Sequence, residues 1–95
     1  MPYVLKHAGS TELFACRLVN RYELDYFGVK DWMDEAAAQE EKETFLAGRG
    51  VPDVPDWEVV ELEEMKLKMC NVKLRNDPSN RVYISDDGVI RVEKR

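Results

Sequence analysis

A Val-Pro-Asp triplet that occurs twice in succession, at residues 51–56, divides the sequence into two halves. Proline fixes φ, donates no amide hydrogen and biases the residue before it towards extended backbone. Neither a helix interior nor a central strand can therefore run through Pro52 and Pro55. The repeat predicts a stiff connector, so each half of the chain has to supply helices or strands of its own.

The first thirty residues predict three consecutive strands. Tyr3–His7 is rich in residues that favour strands and precedes a turn-like cluster. Residues 13–19 are apolar on both faces apart from Arg17, which is typical of a central strand. In residues 22–29, aromatic and aliphatic side chains alternate with acidic ones, as in a half-buried strand. We expect these strands to form a meander.

A single helix is predicted at about residues 32–47. Asp31 is placed to act as the N-cap, because its carboxylate can accept the free amide hydrogens of the first turn. The three alanines at positions 36–38 have the highest intrinsic helix propensity in the chain. Gly48 and Gly50 are expected to end the helix, with one of them in the left-handed conformation.

Residues 57–75 fit two interpretations. A helix would place glutamates near its N-terminus and lysines near its C-terminus, which suits the helix dipole. Its apolar side chains would then lie on two separate sides, which no single packing surface explains. One side would hold Leu62, Met65, Met69 and Val72, and the other Val59, Val60, Leu67, Cys70 and Leu74. As strands, apolar residues alternate with polar ones over residues 66–74. The alternation changes parity at Cys70 and Asn71, and a bulge would accommodate that change. We favour two strands, residues 57–62 and 66–74.

The chain ends in a predicted hairpin. Residues 81–85 and 89–93 flank Asp86, Asp87 and Gly88, and glycine supplies the positive φ of a tight turn. The chain is thus predicted to be one α+β domain over residues 1–95. We expect an antiparallel sheet of five to six short strands with one helix packed on one face.

Composition excludes several classes of partner. The net charge is −5, from 19 acidic and 14 basic residues, and the basic residues are scattered along the sequence. Binding to nucleic acid or to an anionic membrane normally requires a basic surface, so we expect neither partner. The sequence shows no signal-peptide pattern and no long apolar stretch, which predicts a cytoplasmic protein. In that compartment Cys16 and Cys70 are expected to be buried and unpaired.

Residues suited to catalysis or metal binding are few. His7 is the only histidine, so paired-histidine metal sites are excluded, and no motif places a nucleophile beside it. The glutamates at 40, 41, 43, 63 and 64 are typical of solvated runs and not of a catalytic carboxylate pair. We predict no enzyme activity, no catalytic residue, no metal and no cofactor.

Aromatic side chains are the remaining candidates for a functional surface. A sheet covered by one helix leaves a face open, and aromatic rings on that face would form an interface. The candidates are Tyr22, Tyr26, Phe27, Trp32 and Trp57.

These features predict a non-catalytic protein–protein interaction or structural module. We expect it to self-associate as a homodimer or to bind another protein. Two alternatives stay open. One is a small-molecule binder with a pocket between helix and sheet, lined by Tyr26, Trp32 and Trp57. The other is an acidic mimic of DNA.

Overall fold

The computed structural model describes residues 1–95 and contains seven strands and two helices. The helices are α1 (Glu35–Gly48) and α2 (Glu64–Leu74), and a short 3-10 turn lies at Val54–Asp56. The strands are β1 (Tyr3–His7), β2 (Ala15–Val19), β3 (Asp25–Val29), β4 (Asp31–Trp32), β5 (Trp57–Glu61), β6 (Asn80–Ile84) and β7 (Ile90–Lys94). Neither helix has the length and apolar character needed to cross a membrane.

The strands form three small antiparallel sheets, ordered β4-β1-β5, β2-β3 and β6-β7. The prediction of one five-to-six-stranded sheet carrying one helix is therefore wrong, and so is the three-stranded meander. β1 pairs with β5 along its whole length, from Tyr3 opposite Glu61 to His7 opposite Trp57, and not with β2. Such a pairing between distant parts of the chain leaves no signal in local periodicity. Single bridges from Leu13 to Lys6 and from Glu12 to Tyr83 link the sheets.

The two helices belong to different hydrophobic clusters, one on each face of β1. Val4 and Leu5 are consecutive residues of β1 and are both fully buried, and neighbouring strand residues point to opposite faces. Val4 packs in a cluster with Cys70 and Leu74 of α2, which we call the α2-side cluster or core. Leu5 packs in a cluster with Ala38 and Leu46 of α1, which we call the α1-side cluster. Neither face of this sheet is left open at β1, because Val4 and Leu5 are both fully buried. α2 itself packs mainly against β3 and the β6–β7 hairpin.

α1 begins three residues later than predicted. Its N-cap is Asp34, whose Oδ1 accepts a hydrogen bond from the Ala36 amide at 3.2 Å. Asp31 lies instead in β4, opposite Val4 of β1. The helix ends at Gly48, and Gly50 has the left-handed conformation with φ of 73°.

α2 occupies the segment for which a strand was predicted, so the strand at residues 66–74 is wrong. The helix turns Cys70 and Leu74 into the core, and Leu67 packs partly against it. Two neighbouring strand predictions are confirmed at slightly different bounds. β5 covers most of residues 57–62, and β6 and β7 form the closing hairpin with Gly88 at φ of 85°.

Two asparagines at the end of α2 cover the edge of β3. The Val29 amide donates to Asn71 Oδ1 at 2.9 Å, and the Phe27 amide donates to Asn76 Oδ1 at 2.6 Å. These side chains take the place of a neighbouring strand. The edge of β3 is therefore closed to a second copy of the chain.

Candidate functional site

Three apolar side chains of α2 lie in water on the side of the helix that faces away from the core. Met65, Met69 and Val72 are 67%, 45% and 74% exposed. Their spacing of i, i+4 and i+7 places them on one face of a helix, opposite the core-facing Cys70 and Leu74. We call these three residues the outer stripe. With Leu62 they make up one of the two apolar sides that no single packing surface explains.

Basic side chains border the outer stripe. At 100° per residue, Lys68 lies on one flank of the stripe and Lys73 on the other.

Charge is also distributed unevenly over the molecule as a whole. Residues 31–64, which include α1, hold twelve acidic and two basic residues, whereas residues 65–95 hold eight basic and four acidic ones. Because α1 and α2 belong to separate clusters on the two faces of β1, the molecule has an acidic side and a basic side. The basic residues look scattered along the sequence, but a count of charges in each segment reveals this division.

A cleft of about 610 Å³ adjoins the outer stripe, between the last turn of α2 and the β6–β7 hairpin. A second cleft, of about 210 Å³, lies between β5 and the turn of that hairpin. The lining of the larger cleft includes three basic side chains, Lys73, Arg75 and Lys94.

The five aromatic residues predicted as an interface occupy different environments. Trp32 and Trp57 are buried in the α1-side cluster, and Phe27 is buried in the α2-side cluster. Tyr26 is half-buried and lies over Gly28, whereas Tyr22 is 68% exposed in the turn between β2 and β3. None of the five lines either cleft. Their part in an interface stays a prediction.

Three edge-to-face contacts link the two tryptophans through other aromatic rings. The rings of Phe14 and Phe45 lie between them, with ring centroids 5.4 to 5.6 Å apart. The His7 ring continues the row beyond Trp57, at 5.1 Å. This arrangement is typical of packed aromatic side chains, so the row stabilises the contact of α1 with the sheet.

His7 is held by hydrogen bonds on both ring nitrogens. Its Nδ1 accepts from the backbone amides of Gly9 and Ser10, at 3.0 and 3.2 Å, and its Nε2 lies 2.8 Å from Asp53 Oδ2. The other oxygen of Asp53 accepts from Trp57 Nε1 at 3.2 Å. The hydrogen bonds from His7 and then from Trp57 hold the pKa of Asp53 below its ordinary value. These hydrogen bonds of Asp53 with His7 and Trp57 attach the proline connector to β1 and β5.

The same histidine belongs to a cluster whose composition resembles a metal site. Ligand atoms of His7, Asp53 and Asp56 lie within 4.8 Å of one another. Metal binding requires a free lone pair on an imidazole nitrogen. Because Nδ1 already accepts two amide hydrogens, the ring proton is on Nε2, the nitrogen that faces the carboxylates. This geometry favours a structural hydrogen bond over a metal ligand.

Both cysteines are buried and unpaired, as predicted. Burial raises the pKa of the Cys16 thiol and raises that of Cys70 to about 11. The thiolate is the reactive form of cysteine, and at neutral pH very little of it is present at such a site. The two thiols therefore contribute to packing and are poor candidates for nucleophiles.

Comparison of the chain with protein-family models, with curated proteins and with solved structures finds no significant match.

Proposed function

We propose that this chain is a non-catalytic protein-interaction module that docks an acidic amphipathic segment of a partner protein on the outer face of α2. The outer stripe is the observation that supports it. Met65, Met69 and Val72 form a continuous apolar row on a helix whose other side already packs in the core. Fully burying one such side chain contributes about 1.5–3 kcal/mol.

The chemistry of the partner follows from the residues of the surface. Methionine side chains are flexible and polarisable, and they accommodate apolar faces of different shapes. An amphipathic helix presents such a face as anchors at i, i+3, i+4 and i+7. Lys68 and Lys73 on the flanks favour glutamate and aspartate beside those anchors, whereas they repel a basic partner. The partner segment is therefore acidic and apolar together.

We also propose that the protein is cytoplasmic. Two unpaired, buried cysteines are typical of a reducing compartment.

A synthetic acidic amphipathic peptide of roughly 18 residues, with leucines at helical spacing and glutamates elsewhere, tests the docking surface. We expect it to shift the methyl NMR signals of Met65 and Met69. Replacing Met69 with glutamate removes a central anchor and adds a like charge, so we expect the affinity to fall by about tenfold or more.

Two controls accompany this experiment. Met33 is also an exposed methionine, but it precedes α1 on the acidic side, and we expect Met33→Glu to leave the affinity unchanged. The second control is the same peptide with lysines in place of the glutamates, which we expect not to bind. Equal binding of both peptides, or no binding of the acidic peptide at about 1 mM, would contradict the proposal.

Self-association is a second candidate function, and the charge distribution of the molecule supports it. The sequence predicts it from an open sheet face, but β1 is buried on both faces. The opposite charges of the two sides of the molecule favour it instead, because the acidic side of one copy complements the basic side of another. Contacts of this head-to-tail type join unlike surfaces and build rings or open chains.

Light scattering in two salt concentrations tests self-association. We expect a mass of at least two chains at about 0.05 M salt and a mass close to the 11.1 kDa of one chain at about 0.5 M. Salt screens exposed charges, so an association held by them weakens. A single-chain mass at low salt and high protein concentration would exclude it. Loss of the higher mass in Met69→Glu would identify the second copy as the occupant of the outer stripe.

A further inference from the structure

We propose that the cleft between α2 and the β6–β7 hairpin binds a small amphiphilic anion, in which a carboxylate or phosphate is carried on a short apolar chain. This inference goes beyond the docking of a protein on the outer stripe, which the cleft meets at Val72 and Lys73. Its volume of about 610 Å³ falls within the range of small-molecule pockets. Its lining comprises Val72, Lys73, Arg75, Asp77, Asn80, Ile90, Val92 and Lys94.

Positive charge dominates the cleft. Asp77 is its only carboxylate, and this group is already engaged by the Ser79 amide at 2.9 Å, the Ser79 hydroxyl at 2.7 Å and Lys94 Nζ at 3.0 Å. These hydrogen bonds lower the pKa of Asp77 to about 2. Lys73 and Arg75 form no salt bridge within the chain, although acidic residues outnumber basic ones. Two unpaired cations therefore remain for a ligand.

The end of α2 opposes an anion less than a helix C-terminus usually does. Free carbonyl oxygens there carry partial negative charge. In this chain the Leu74 oxygen accepts from Asn80 Nδ2 at 3.0 Å and from the Asp77 amide at 3.1 Å. The Val72 oxygen accepts from the Arg75 amide at 3.2 Å. The chain's own donors thus occupy two of the carbonyls in the last turn of α2.

The backbone at Arg75 supports a role for its side chain. Arg75 caps α2 in the left-handed conformation, with φ of 56°, a position where glycine is the usual residue. Asn76, which is also left-handed, uses its side chain to bind the Phe27 amide. Arg75 has no such bond within the chain, and its side chain lines the cleft instead.

The apolar part of the ligand follows from the remaining wall. Val72, Ile90 and Val92 line the cleft, and the last two pack partly against the α2-side core. An anion without an apolar part would leave this wall in water, so we expect the apolar chain to add to the affinity.

NMR titration with four probes tests the site: octanoate, octyl phosphate, inorganic phosphate and octylamine. We expect both amphiphilic anions to shift the methyl signals of Val72, Ile90 and Val92 and the amide signals of Lys73 and Arg75. Inorganic phosphate should bind at least about tenfold more weakly than octyl phosphate, and octylamine should not bind. The stronger of the two amphiphilic anions identifies the preferred head group.

Two variants separate binding from folding. Arg75→Gly relieves the left-handed backbone and removes the guanidinium, so we expect unchanged or higher stability to urea and about tenfold weaker binding. Arg17→Gln removes an equal charge at an exposed position of β2, outside both clefts, and should leave the affinity nearly unchanged. Equal losses in the two variants would show general electrostatic attraction and overturn the proposal. No shift with either amphiphilic anion at about 1 mM, or equal affinity for inorganic and octyl phosphate, would also overturn it.

Discussion

Replacing Trp57 with alanine is expected to lower the free energy of unfolding by about 3–5 kcal/mol. Trp57 is 6% exposed, and its ring packs edge-to-face against His7 and Phe14. Its Nε1 also donates to Asp53, so the substitution leaves both a cavity and a carboxylate with one fewer donor. Urea unfolding followed by the fluorescence of Trp32 measures the change.

Two further variants show whether Trp57 acts in the core or at an interface. Trp57→Phe keeps most of the ring packing and loses only the N–H donor, so we expect a smaller loss than for alanine. Tyr22→Ala at the exposed hairpin turn should change stability by no more than about 0.5 kcal/mol. A stable Trp57→Ala variant would contradict the core assignment and would support the interface that the sequence predicted.

Replacing Asn71 with alanine is expected to lower the free energy of unfolding by about 1–3 kcal/mol. Val29 is almost fully buried, and its amide hydrogen has Asn71 Oδ1 as its acceptor at 2.9 Å. Without that oxygen a donor at the edge of β3 is left without a partner in a site that water enters poorly. We also expect the Val29 amide to exchange its hydrogen faster, which hydrogen-exchange NMR measures residue by residue.

Asn20 provides the matched control for Asn71. Its Oδ1 also accepts from two backbone amides, those of Tyr22 and Leu24, at 2.8 and 3.1 Å. Those bonds are exposed, so water can replace the side chain, and Asn20→Ala should cost only about 0.5 kcal/mol. If both variants lose the same stability, the side chain of Asn71 does not close the edge of β3.

The second apolar side of α2 explains why residues 66–74 were assigned to a strand. A soluble helix usually has one apolar side, and this segment has two. The side that contains Cys70 and Leu74 packs in the core, and the other side remains in water as the outer stripe. The feature that argued against a helix is the feature that now supports a docking surface.

The candidate sites were beyond sequence reasoning for a similar reason. Residue type is the only feature of the sequence that singles out the five aromatic residues as an interface. Residue type does not distinguish a buried tryptophan from an exposed one. The cleft combines α2 with β7, whose residues lie about twenty positions apart in the sequence. Of these features, only the difference in charge between residues 31–64 and residues 65–95 can be read from the sequence.

Local chemistry determined part of this protein from the sequence alone. The alanine run and the glycines after it specify α1, two prolines specify the connector, and the Asp-Gly turn specifies the β6–β7 hairpin. These elements depend on backbone preferences and hydrogen bonds within a few residues. The tertiary structure alone decided the pairing of β1 with β4 and β5, the helical state of α2 and which aromatic rings are buried. Each of these depends on contacts between residues far apart in the sequence, whose free energy exceeds the small local differences between helix and strand.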